Sequence, residues 1–163
     1  MNALLLDVNV LIAMVWHQHD HYDLVRDWLG KRRGETWATC PITESGFVRV
    51  SALPRLGGVS QGVQRGLLAL QKNRAEPDHV FWPHETSVVD LNPEIKARVR
   101  GHQQVTDAIL LDLAIRNGGH LVTLDRRIRH LLPADSPHQA SIEVIPTIWN
   151  VTAPPSPAVA DPA

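Results

Sequence analysis

The 163-residue chain contains one cysteine, Cys40, so no intrachain disulfide can form, and a reducing compartment is the simpler expectation. It has no excess of either charge: 16 Lys and Arg stand against 17 Asp and Glu, a formal net charge of −1. A polyanionic substrate would therefore have to be held by local features and not by net charge. No apolar run approaches the roughly 20 residues needed to cross a bilayer. The opening MNALLLDVNV lacks the basic start and long apolar core of a secretory signal. No spacing among the few aromatics marks a platform for stacked bases, and Trp16, Trp28, Trp37, Trp82 and Trp149 read as core or interface residues. There are no internal repeats. With 44% hydrophobic and 20% charged residues, the composition is that of one soluble globular domain, and a cytoplasmic location is expected.

Short apolar runs alternate with helical patterns. Leu4, Leu5 and Leu6 predict a buried strand, followed by an apolar stretch over 8–15 that does not alternate. Tyr22, Val25, Trp28 and Leu29 recur at helical spacing, so 21–29 predicts an amphipathic helix, closed by Lys31, Arg32, Arg33 and Gly34. Residues 36–39 predict a second strand, and 41–50 a strand exit and a helix with Thr43 as its N-cap. Gly57 and Gly58 mark a loop, 63–70 a helix, and 80–82 a strand before Pro83. The clearest helix is 105–116, stopped by Gly118 and Gly119; 121–124 and 142–145 are the last strands. Such alternation implies an α/β domain with a mainly parallel sheet, in which ligands bind beyond the carboxyl ends of the strands. After Trp149 the composition turns to Pro, Ala, Val and Ser, so the expected organisation is one domain over 1–150 and a disordered tail over 151–163.

The run LLLDVNVLIA carries a carboxylate, and a buried charge is costly unless it is paired or coordinates a metal. Asp7 follows the first strand, Glu44 follows the second and opens a helix, and Asp125 follows the strand LVTL. Asp107 lies in the first turn of the helix after Thr106, where the helix dipole favours negative charge. In a parallel sheet these positions converge at one end. Two like charges about 4 Å apart repel by roughly 1 kcal/mol in water and about 4 kcal/mol at an effective dielectric of 20. Four together would leave some protonated. A hard cation such as Mg²⁺ or Mn²⁺ removes the conflict, because it takes oxygen ligands. Four carboxylates balance two such ions, and two ions about 3.5–4 Å apart can activate a water and stabilise the leaving oxygen of a phosphodiester. Singly, each acid has an ordinary use as a cap, turn or first-turn residue; together they point to a site. Asp112, five residues past Asp107, points about 140° away on a helix and is expected off the ligand face.

LLLDVNVLIA, TESGFVRV, VTDAILLDLA and LVTLD resemble, in order and spacing, the four acidic motifs of PIN-domain ribonucleases, with the nearest likeness to VapC-type toxins of bacterial toxin–antitoxin pairs. The likeness runs over 4–146. It implies a PIN-like three-layer α/β/α domain with a central, mainly parallel sheet. It also implies a metal-dependent ribonuclease that hydrolyses RNA phosphodiester bonds with Mg²⁺ or Mn²⁺. It assigns catalysis and metal ligation to Asp7, Glu44, Asp107 and Asp125, and supporting polar roles to Asn9 and Thr123. A homodimer and a cognate antitoxin that blocks the site are implied as well.

Other readings compete. A haloacid-dehalogenase-like phosphatase also ends its first strand in a nucleophilic Asp. It wants a second Asp two residues on, where this chain has Asn9, and a lysine at a strand end, where Lys31, Lys72 and Lys96 do not fall. A PIN-like module that binds RNA or protein without cutting would keep the same acids. Arg126 and Arg127, directly after Asp125, are candidates for gripping RNA phosphate, as are Arg32, Arg33 and Arg129, although such runs also serve as solvated faces. WHQHDHYDL falls one residue short of the H-x-H-x-D-H zinc pattern of metallo-β-lactamase-like hydrolases. His17 and His21 would share a helical face, but no further ligand-rich segment follows, and a solvated helix start is expected.

Overall fold

The computed structural model describes residues 2–53 and 62–147. The expected loop at Gly57 and Gly58, Trp149, and the expected tail over 151–163 lie outside the described residues.

Five short strands form one all-parallel sheet: β1 (Leu4–Leu6), β2 (Trp37–Thr39), β3 (His79–Phe81), β4 (His120–Thr123) and β5 (Ile142–Val144). Their order is β3-β2-β1-β4-β5. The chain builds outward from β1 through β2 and β3, then returns to the other side of β1 with β4. The β1–β4 boundary is thus the topological switch, the place where open α/β sheets leave a crevice beyond their carboxyl ends. The helices are α1 (Val8–Val15), α2 (Tyr22–Gly30), α3 (Pro41–Ser51), α4 (Val63–Arg74), α5 (Pro93–Lys96) and α6 (Gln104–Arg116).

The three leucines of β1 do not alternate with polar residues because both faces of the sheet are covered. Leu5 packs on one side with Ala38, Leu121, Ile95, Leu110 and Leu111. Leu4 and Leu6 pack on the other with Val10, Val25, Phe47 and Val122. The result is the expected three-layer α/β/α arrangement. The apolar stretch over 8–15 is α1, and its lack of periodicity has the same cause: Val10 to Met14 are all buried.

Several boundaries depart from the sequence reading. Thr43 is not the N-cap of α3. Pro41 lacks an N–H and presets its φ, so the helix begins there, Cys40 caps it, and the Thr43 hydroxyl instead accepts the Cys40 backbone N–H at 3.0 Å. The strand placed at 80–82 begins at His79 and leaves Trp82 beyond its end, and the helix placed at 63–70 runs on to Arg74. The short α5, capped by Asn92 with Pro93 at its first position, was not anticipated. Trp16 is core: its Nε1–H donates to Ser51 Oγ at 2.8 Å and its ring lies parallel to Phe47, centroids 6.0 Å apart. Asp112 is buried, accepting the Asn92 N–H at 2.7 Å and pairing with Arg116 at 2.6 Å, so it clamps the α5 segment onto α6.

Close packing beneath the sheet sets a test. A Cβ on Gly119 would stand 2.4 Å from the Ala3 carbonyl oxygen and 2.6 Å from the Trp82 ring, whereas one on Gly30 meets nothing within 4 Å. Gly119→Ala is expected to lower stability by about 1–3 kcal/mol in urea unfolding. Gly30→Ala, in the last turn of α2, should be neutral or stabilising by roughly 0.5–1 kcal/mol.

Candidate active site

Asp7 ends β1 and caps α1. Its Oδ1 accepts the Val8 N–H at 2.7 Å, its Oδ2 accepts the Thr123 hydroxyl proton at 2.7 Å, and its own N–H donates to the Val122 carbonyl at 2.9 Å. Thr123 ends β4. The Asn9 amide nitrogen and the Asp125 N–H each donate to its hydroxyl at 3.1 Å, and neither can accept there. A hydroxyl has one proton and two acceptor sites, so all three are used and the proton must point at Asp7. Asn9 completes the link by accepting the Leu124 N–H at 3.2 Å. Thr123 thus touches Asp7 directly, and Asn9 reaches it through Thr123.

The three aspartates at this edge are not equivalent. Asp7 is only 8% exposed; burial pushes its carboxyl above the usual range, against hydrogen bonds from Thr123 and Val8 that favour the charged form. Asp125 is the reverse case. Arg127 grips it through Nε at 3.0 Å and Nη2 at 2.7 Å, and holds its carboxyl below the usual range. Asp107, on the first turn of α6, has neither remedy. It is half-buried and repelled by both Asp7 and Asp125, which together with burial push it up to about 6, Arg127 opposing. No hydrogen bond or ion pair to a described residue relieves it.

Asp107 also stands between two cavities. One of about 660 Å³ is lined by Asp7, Asn9, Gln18, His19 and Asp107 among others. The second, about 320 Å³, includes Asp107, Asp125, Arg127 and His102 in its walls.

Glu44 is placed differently. It sits on the first turn of α3, over the end of β2, accepts the Thr39 hydroxyl at 2.7 Å and pairs with Arg74 of α4 at 3.3 Å. It lines a groove between α3 and α4 with Leu67 and Leu70, and is not among the charges that shift the three aspartates. The structure thus brings three of the four expected acids together and leaves the fourth engaged at the neighbouring strand end. Of the arginines, Arg126 and Arg127 are exposed beside Asp125. Arg32 and Arg33 line a groove with Leu4 and Trp37, at the opposite edge of the sheet, and Arg32 is paired with Glu143 and stacked on Trp28. Arg129 bonds the Ile142 carbonyl. His17 and His21 do not share a helical face, because α2 begins only at Tyr22 and the residues before it form a turn. That turn nevertheless puts Gln18, His19 and Asp20 on the wall of the larger cavity, which the sequence pattern did not indicate.

Among the described residues, no three Asp, Glu, His or Cys side chains stand close enough, as placed, to share one ion. The donor set still suits a hard cation: its members are carboxylates, and Asp107 is half-buried and unpaired against two like charges. Mg²⁺ is commonly held by one or two carboxylates, with water completing its shell.

The PIN domain model matches residues 4–131, and the chain belongs to that family. Among its relatives, it is 42% identical over 121 residues to Ribonuclease VapC38 of Mycobacterium tuberculosis (strain ATCC 25618 / H37Rv), covering 74% of this chain and 84% of that protein. It is 36% identical over 141 residues to Ribonuclease VapC39 of Mycobacterium tuberculosis (strain CDC 1551 / Oshkosh), covering 86% and 98%. The fold also matches a chain in the crystal structure of DNA-bound VapBC from Salmonella typhimurium, with a TM-score of 0.58, 16% identity, and coverage of 88% of this chain and 97% of that one.

The state of Asp107 gives a pH test on metal-free protein. Its folded pKa, about 6, lies above the unfolded value near 3.9. The native state therefore binds more protons between these values, and stability falls as pH rises from roughly 4 through about 6. In EDTA at pH 7.5, Asp107→Asn should melt above wild type, with the gap narrowing at pH 4.5. Adding Mg²⁺ at pH 7.5 should raise the wild-type Tm and leave the variant nearly unmoved. Equal melting at pH 7.5 would contradict the assigned repulsion.

Proposed function

We propose that this chain is a VapC-type ribonuclease toxin, which hydrolyses RNA phosphodiester bonds with Mg²⁺ or Mn²⁺ and is neutralised by a cognate antitoxin. The observation that carries the reading is the unpaired Asp107 carboxylate, crowded by Asp7 and Asp125 at the switch crevice of a PIN fold. Asp7 and Asp107 would hold the cation, with Asp125 and Glu44 completing the acidic set. When bound, the ion supplies Lewis acidity toward the phosphate and lowers the pKa of a coordinated water.

The chain's own residues prepare the rest. Thr123 and the Val8 amide fix the Asp7 carboxylate, so it need not reorient during reaction. Arg127 offsets the charge of Asp125, and its side chain is 77% exposed beside the smaller cavity, where an approaching phosphate meets a guanidinium. The likeness to the VapC ribonucleases supports the ribonuclease reading, and the likeness to the Salmonella VapBC structure supports a VapB-like antitoxin as partner. A homodimer and a cytoplasmic setting, where RNA and antitoxin meet, belong to the same proposal. Among the described residues no helix is long and apolar enough to cross a membrane. The phosphatase alternative loses its acid: Asn9 spends both ends of its amide on Thr123 and Leu124.

Purified protein with total bacterial RNA should yield discrete products in Mg²⁺ or Mn²⁺ and none in EDTA. Asp107→Asn should stop cleavage, and Thr123→Val, which frees Asp7, should slow it about 10- to 100-fold. Full activity in Asp107→Asn would overturn the assignment; RNA binding without cleavage by wild type would favour the non-cutting module. Arg126 tests the phosphate contact: Arg126→Ala should make the log–log dependence of RNA affinity on salt shallower by about 0.7. An unchanged slope would remove Arg126 from the interface.

A further inference from the structure

The turn between α1 and α2 carries His19 to the wall of the cavity that Asp7, Asn9 and Asp107 also line. The turn is pinned at both ends: the His19 N–H donates to the Trp16 carbonyl at 2.9 Å, and the His19 carbonyl accepts the Tyr22 N–H at 2.9 Å. Trp16 is itself held by Ser51. The ring is oriented as well, because the His21 backbone N–H donates to His19 Nδ1 at 3.1 Å. A backbone amide can only donate, so Nδ1 is the acceptor and the ring proton sits on Nε2. Burial and the neighbouring His21 hold the imidazole below the usual histidine range, against the weaker pull of Asp20, so the ring keeps this tautomer near neutral pH.

The cavity, about 660 Å³, lies within the range of roughly 300–1,000 Å³ typical of small-ligand sites, room for one nucleotide. Asp107 forms part of its wall and part of the smaller cavity's wall, so a single strand crossing the carboxylates would lodge a nucleotide on each side.

We infer that His19 is a substrate-binding residue, whose Nε2–H donates a hydrogen bond to an acceptor oxygen of the RNA nucleotide lodged beside Asp7 and Asp107. The inference rests on the ribonuclease reading and names a contact that selects and seats its substrate. His19 is not a proton-transfer group, since Nδ1 is taken by the backbone and Nε2 already carries the proton.

The test uses the full chain with Mg²⁺, first on total bacterial RNA and then on an oligonucleotide spanning the wild-type cut. His19→Ala should raise KM roughly 3- to 10-fold, the worth of one hydrogen bond, with little change in kcat. His19→Gln, whose amide nitrogen falls near the Nε2 position, should recover most of that loss; His19→Asn, which mimics Nδ1, should not. His17→Ala, an exposed neighbour outside the cavity wall, should behave as wild type. The pH profile of kcat should keep its shape throughout. If His19→Ala fails to fold, the Gln and Asn variants decide the question. A wild-type KM in His19→Ala, equal loss in the Gln and Asn variants, or an ionisation missing from the pH profile overturns the inference. Cleavage that requires Asp107 but ignores His19 overturns it alone; no cleavage by wild type overturns the ribonuclease reading and this inference with it.

Discussion

The site depends on the direction of one proton. Thr123 receives hydrogen bonds from Asn9 and from the Asp125 backbone, and neither donor can reverse. Its hydroxyl proton is therefore committed to Asp7 Oδ2. This makes the ends of β1 and β4 one unit at the boundary in the sheet where the direction of strand addition changes. It also makes burial of Asp7 tolerable, because a carboxylate that accepts a hydroxyl and a backbone amide recovers part of the hydration it lost. Without that hydrogen bond, burial would push the Asp7 carboxyl still further above its usual range.

Given a fixed Asp7, the other acids sort by how their charge is met. Asp125 has a bidentate guanidinium, and Glu44 has a hydroxyl and a guanidinium. Asp107 has neither, and it faces two like charges from a half-buried position. Carboxylates perturbed by burial and like charges cluster at functional sites. The helix dipole at the start of α6 supplies only part of the compensation. A cation at this edge would remove a repulsion that the chain leaves in place, and its binding free energy would include that relief.

How much of this was legible depended on how local each cause was. Leu4 to Leu6 and the acid behind them marked a covered strand with a polar end, because burial on both faces removes alternation. The helix over 8–15 could not be told from a strand by periodicity, since nearly every position is buried. The start of α3 was missed by three residues, with Cys40 and not Thr43 as its N-cap, because Pro41 presets the first helical position. The four acids were legible as strand-end positions, but the separation of Glu44 was not. It rests on Arg74, 30 residues downstream, and on a hydroxyl from β2. Arg32 and Arg33 were misplaced as phosphate candidates for a similar reason. Only the strand direction reveals that the end of α2 returns to the edge opposite the carboxylates. Nothing in WHQHDHYDL distinguished His19 from its neighbours, because its role comes from a turn whose geometry is set by Trp16 and Tyr22.

Glu44 is already engaged, by the Thr39 hydroxyl and by Arg74. Four free carboxylates at one edge would multiply the repulsion already visible at Asp107. The chain instead meets two of them with arginines, Arg127 on Asp125 and Arg74 on Glu44. The Arg74 side chain is 43% exposed, and pairs of that kind are worth only about 0–1 kcal/mol. Releasing Glu44 toward a bound ion would break that pair and the Thr39 hydrogen bond, itself worth about 0.5–1.5 kcal/mol, against the attraction a divalent charge exerts on a carboxylate within a few ångströms. The arginine pairs would therefore serve as counter-ions that a stronger cation could displace.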